Sequence, residues 1–254
     1  MKVWMIAYCT VLSIIHNPVL GQSINGDVEQ FFNYVRFGDQ SRAAKEIKNL
    51  AGISQEALKN ELDSENKAKA FWINIYNTFA QYLLKDNPGY YEDRNDFFGE
   101  ELITIAGHKL SLDDIEHGII RRSKNKYSMG YFGKISVGDF EKRFRLEKTD
   151  YRIHFALNCG AKSCPPVALY KANRIDQQLD QSTKAYLKAN TKFNEKEGEV
   201  LVPKLCSWFR ADFGGEDGVI DMLHKYKIIP NDKEPDIEYL DYNWELSLSN
   251  YIDL

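Results

Sequence analysis

The chain has 254 residues with 37 acidic and 33 basic side chains, a net charge of −4, and no basic block, so it is a poor candidate for nucleic-acid binding. With 43% hydrophobic and 13% aromatic residues it carries ample material for one sizeable core. No Pro/Gly/Ser-rich linker divides it, and no repeat recurs at a period of 20–50 residues.

Residues 1–21 read as a signal peptide. Lys2 gives a positive start, Val3 to Ile15 is mostly apolar, and Gly21 supplies a small residue before a cut expected near Gln22. The run is shorter than the roughly 20 apolar residues a span requires, and no cysteine follows the cut to carry a lipid. Loss of Lys2 alone leaves 32 basic against 37 acidic residues. The mature chain is therefore expected to be secreted or periplasmic, with no membrane anchor. Three cysteines remain in it, Cys159, Cys164 and Cys206, so at least one thiol stays outside any internal disulfide.

Residues 22–64 form an N-terminal helical segment: one amphipathic helix follows Asp27 as its cap, and a short one runs from Ser54 to Leu62. The pattern predicts a long helix from about Ser64 to Asp86, stopped by Asn87-Pro88-Gly89. Its centre, AFWINIYNTFAQYLL, is apolar nearly all round, as in a helix buried on most sides. Asn74, Asn77 and Gln81 fall within about 60° of one another on it. Buried amides require partners, so this stripe either fixes the backbone of a neighbouring loop or lines a binding pocket.

Residues 101–110 predict a hairpin turning at Gly107-His108, and Ser111 with Asp114 resembles a capping box opening a helix to about Arg122. At 100° per residue, Glu116 lies about 40° from Leu112, inside the apolar arc, while Asp114, His117 and Arg121 face away. A carboxylate there must be satisfied or protonated: by Arg152 or Asn77 in a structural role, or as a general acid or base. His117 reads as a rim residue.

Tyr151 to Asn158 alternates like a half-buried strand, with His154 on its non-core side. The segment IHFALNCGAKSCPP concentrates reactive residue types. A straight strand would put His154 about 16 Å from Cys159, too far for a pair. Cys164 is the better nucleophile candidate, because the chain turns at Gly160 and Pro165 or Pro166 opens a helix that would favour a thiolate. The alternatives are a Cys159–Cys164 disulfide, inert packing, or a metal site drawing on these thiols with His154 and His117. No spacing calls for a metal or another cofactor. Cys206, within KLCSWF, reads as core.

A helix over Ile175–Ala189, two strands around Glu197-Gly198, helical stretches at Leu205–Phe209 and Val219–Tyr226, and a strand at Ile237–Leu240 complete the pattern. Helices and strands are segregated, which defines an α+β domain: a helical N-terminal part packed on a small, mostly antiparallel sheet.

The motifs AFWINIYN, LSLDDIEHGIIR, IHFALNCGAKSCPP and YLDYNWELS, in that order over about residues 65–250, resemble the family called domain of unknown function 547. The resemblance implies that Trp72, Asn74, Asn77, Glu116, His117, His154, Cys159, Cys164 and Trp244 sit at characteristic family positions. Asn243 and Ser247 depart from the acid and the asparagine common there. The resemblance carries no established activity.

At the level of fold class the chain is similar to papain-like and transglutaminase-like enzymes. That analogy casts Cys164 or Cys159 as nucleophile, His117 or His154 as base, and Glu116 as orienting group, in a thiol-dependent hydrolase or acyl transferase. A non-catalytic binding or scaffold domain is the alternative. Either would take a small-molecule or peptide ligand.

Overall fold

The computed structural model describes residues 23–254, so the signal-peptide segment lies outside the described residues. The domain is α+β. Helix α1 (Ile24–Phe37) is capped by Ser23, whose Oγ accepts from the Gly26 amide; the start falls four residues before the Asp27 cap that the sequence suggested. Helix α2 (Gln40–Gly52), capped by Asp39, has no counterpart in the sequence reading, whereas α3 (Gln55–Glu61) begins at Ser54 as expected. Helix α4 (Glu65–Asp86) is the central element, and every residue from Lys69 to Gln81 on it is buried. A short 3₁₀ turn (Pro88–Tyr91) and helix α5 (Arg94–Gly99) lead into the hairpin of β1 (Ile103–Ile105) and β2 (His108–Leu110).

Two expected elements take different forms. The stretch after Ser111 does open with reciprocal bonds, Asp114 N to Ser111 Oγ (3.0 Å) and Ser111 N to Asp114 Oδ2 (3.1 Å). It then winds as a π-helix over Asp114–Ile120, its i→i−5 pattern continuing in Arg121 N to Glu116 O at 2.8 Å. The wider turn advances less than 100° per residue and carries His117 and Arg121 inward, so both are buried and His117 is not a rim residue.

Tyr151–Phe155 is a 3₁₀ helix rather than a strand, opened by Asp150 accepting from the Arg152 amide. All of Ile153–Asn158 is buried, so the apolar alternation there marks no exposed face. A 3₁₀ turn rises about 2.0 Å per residue rather than 3.3 Å, so the 16 Å separation inferred for His154 and Cys159 does not apply.

Helix α6 (Asp139–Phe144) precedes this turn, and helix α7 (Ile175–Asn190) follows it after a second 3₁₀ turn, Ala172–Arg174. Strand β3 (Lys192–Asn194) pairs antiparallel with β4 (Glu199–Val202), which pairs parallel with β5 (Asp236–Tyr239). Between β4 and β5 lie α8 (Leu205–Trp208) and α9 (Gly215–Lys225). The apolar side chains form two clusters, a larger one around α4 and a smaller one around α7, β4 and α9. Tyr242 packs on both, at their seam.

Candidate functional site

A cavity of about 500 Å³ opens at that seam. The α4 side contributes Tyr76, Leu157 and Cys164; the other contributes Leu205, Trp208 and Phe209; Glu116, His117, His154, Cys159, Tyr242 and Trp244 complete the chemistry-bearing wall. Trp208, Tyr242 and Trp244 pack together with centroids 4.6–5.4 Å apart, the two indoles stacked and the Tyr242 ring tilted against both, which gives the mouth an aromatic rim.

The amide stripe of α4 builds this wall from behind and does not line the cavity. Asn74 pairs with both backbone groups of Tyr170, at 2.8 and 2.9 Å. Asn77 donates to Ala156 O and accepts from Asn158 N, each at 2.8 Å. Gln81 donates to Asn158 Oδ1 (3.2 Å) and accepts from Ser249 N (2.9 Å). Asn158 in turn donates to Pro165 O and accepts from Gly160 N. The thiol loop is thus fastened at both ends by buried amides. Gly160 turns it at φ +86°, and a Cβ there would come within 2.7 Å of Leu84 Cδ1.

The turn brings Cys159 Sγ and Cys164 Sγ to 2.7 Å, with no disulfide bond between them. The Cys159 amide donates to Cys164 Sγ (3.1 Å), and the Tyr242 hydroxyl reaches Cys164 Sγ (3.1 Å) and Cys159 Sγ (3.6 Å). No helix begins at Pro165 or Pro166; the first turn after them starts at Ala172. A helix start therefore does not activate Cys164. Burial instead pushes the Cys164 thiol well up, while hydrogen bonding from Cys164, aided by Tyr242 and the Ala161 amide, lowers that of the half-buried Cys159. Cys206 lies apart in the smaller core, its thiol pushed up to about 12 by burial.

Glu116 is not satisfied by Arg152, which pairs with Asp150, Asp176 and Asp180, nor by Asn77, whose amide bonds Ala156 and Asn158. Its side chain, 14% accessible, lines the cavity. Burial raises its carboxyl to about 7 with help from Asp113, against the opposing pull of Arg121 and the Tyr76 hydroxyl.

Neither histidine hydrogen-bonds a sulfur among the described residues. His154 donates from Nε2 to Asp212 Oδ2 (2.9 Å), with its ring stacked on Phe209 at 3.8 Å. Arg121 Nε donates to the same carboxylate oxygen (2.6 Å), and Arg121 Nη1 donates to His117 Nδ1 (2.8 Å). That bond fixes His117 with its proton on Nε2, facing Asp113 Oδ1 at 3.5 Å. Burial and Arg121 hold His117 well below its ordinary value, and burial drops His154 to about 4. Both imidazoles are thus neutral parts of one buried network. Asp212, Arg121, Tyr76 and Tyr242 belong to the site although the sequence reading assigned none of them a role; Tyr242 is within the quoted YLDYNWELS motif, and Asp212 has no local signal.

Fold and site define an α+β domain built round a dithiol cavity with a neutral-range carboxyl. A family model described as "Protein of unknown function, DUF547" matches residues 60–187, half of the chain, and the protein belongs to that family. The matched span holds α4, the π-helix and both cavity cysteines; Asp212, Tyr242 and Trp244 lie beyond it. No curated protein and no solved structure matches the chain.

Proposed function

We propose that the protein is a thiol-dependent hydrolase or acyl transferase acting on a small acyl compound in this cavity, with Cys159 rather than Cys164 as nucleophile. The observation that supports this most is the combination of a half-buried Cys159, whose thiolate is favoured by three donors, with Glu116 titrating near neutrality in the same cavity.

The Cys159 thiolate forms a C–S bond to the acyl carbon, and the departing group takes the proton of Glu116. In the second half the Glu116 carboxylate removes a proton from water or an acceptor alcohol or amine, whose oxygen or nitrogen displaces the thiolate. The histidines hold the wall and transfer no proton, because His117 Nδ1 is bound by Arg121 and His154 is stacked on Phe209 with its Nε2 proton bonded to Asp212. The rim of Trp208, Tyr242 and Trp244 suits an apolar or ring-bearing acyl group. We further propose that the chain works outside the cytoplasm after cleavage near Gly21; N-terminal sequencing of the exported protein should begin near Gln22, and an intact Met1 would refute export by this route.

The activity reading is tested with an aryl ester of a short acid. Mass spectrometry should find the acyl group on Cys159, with no adduct in Cys159→Ala. Iodoacetamide should alkylate Cys159 below the pH of about 8.5 at which an ordinary thiol is half-ionised, with Cys164 and Cys206 reacting only after denaturation. Slow labelling of Cys159 together with no acyl adduct would reject the enzyme and leave a binding domain.

A further inference from the structure

We infer that Cys159 and Cys164 form a redox-active dithiol that reduces small disulfides, a second activity of the cavity. It rests on Cys159 being the accessible thiol of the proposed site, though not on acyl transfer. The sulfurs are five residues apart in sequence and 2.7 Å apart in space, so bond formation between them needs no rearrangement of the fold. The loop carrying them is held at Ala156, Asn158, Gly160 and Pro165 by the Asn77 and Asn158 amides, which keeps the two side chains facing each other.

The pair is also asymmetric in the way sequential exchange requires: both cysteines line the cavity, but Cys159 is half-buried whereas Cys164 is only 6% exposed. The third cysteine is buried in the other core and takes no part.

In the first step the Cys159 thiolate attacks one sulfur of a small disulfide RSSR. A Cys159–S–SR bond forms, the original S–S bond breaks, and RS⁻ leaves and takes a proton. The Cys164 sulfur then attacks Cys159 Sγ, and its proton passes to the departing RS⁻. The intramolecular bond forms and the second RS⁻ leaves, protonated in its turn. RSSR is reduced to two RSH, and the dithiol is oxidised to a disulfide. Oxidation consumes the proposed nucleophile, so acylation and the oxidised state exclude each other.

The probe is dipyridyl disulfide, added to the folded, full-length mature protein and followed by pyridinethione release and intact mass. The expected result is two thiones per chain, no retained pyridyl group, and a product 2 Da lighter than the dithiol with the bond mapped to Cys159 and Cys164, restored by dithiothreitol. Cys164→Ser keeps a hydroxyl donor beside Cys159, so it should release one thione and retain one pyridyl adduct on Cys159; the same variant not exposed to the disulfide should still accept iodoacetamide there. A native product carrying one or two pyridyl groups and no internal bond would overturn the inference while leaving the acyl reading standing. Failure of Cys159 to react at all in either protein would overturn both.

Discussion

Replacing Asp212 by alanine is expected to destabilise the domain by about 3–5 kcal/mol, the usual cost of leaving a buried charge without its partner. The Arg121 and Asp212 side chains are both 0% exposed, and one carboxylate oxygen accepts from Arg121 Nε and His154 Nε2 together. Removing it strands the guanidinium over the Phe209 ring, 4.6 Å from its centroid, with only His117 left to bond. A urea titration should show the midpoint falling with little change in slope. Adding Arg121→Leu to Asp212→Ala should recover part of the loss, because the unpaired charge goes with it. An unchanged midpoint in the single variant would show that the network is open to water.

The acid limb follows from the same carboxyl. Burial raises it, but the bonds from His154 and Arg121 outweigh that and hold it at about 2, below its ordinary 3.8. A depressed folded value means that its stabilisation is present above about pH 4 and is lost as pH falls toward 2.

What the sequence reveals of this molecule tracks what local chemistry decides. Ser54 and Ser64 cap their helices because a side-chain oxygen four residues from an apolar stripe has one effective use, and the α4 amides are legible because an asparagine on an all-apolar cylinder must be bonded. The 3₁₀ turn at Tyr151–Phe155 is not legible, since from Ile153 to Asn158 every residue is buried and no exposed face betrays the period. The π-helix is hidden for a related reason. Its capping box is local and readable, but the extra residue per turn that buries His117 and Arg121 is stabilised by Asp212, 91 residues away from Arg121. The site follows the same division. Both thiols, both histidines and Glu116 stand out by residue type, yet which thiol is activated depends on how the two pair with each other and with Tyr242, and that neither imidazole is free to act depends on Arg121 and Asp212.

Glu116→Gln is expected to make the protein more stable at neutral and higher pH while impairing its chemistry. The folded-state carboxyl is raised to about 7 from 4.5, so the folded protein binds the proton more tightly than the unfolded chain does. Stability contributed by Glu116 is therefore fully present below pH 4.5 and is lost as pH rises through about 7. At 1.36 kcal/mol per unit, the span amounts to about 3 kcal/mol, all of it the cost of holding a carboxylate in the cavity wall. Glutamine keeps the shape and the neutral form at every pH. The variant and the native protein should have matching unfolding midpoints near pH 4, and the variant should lead by up to about 3 kcal/mol at pH 8. The carboxylate also opposes ionisation of Cys159, so removing it should move the iodoacetamide profile of that thiol to lower pH even as turnover of an aryl ester falls. Equal stability of the two proteins at pH 8, with an unmoved alkylation profile, would mean that Glu116 titrates as an ordinary carboxyl and does not carry the proton.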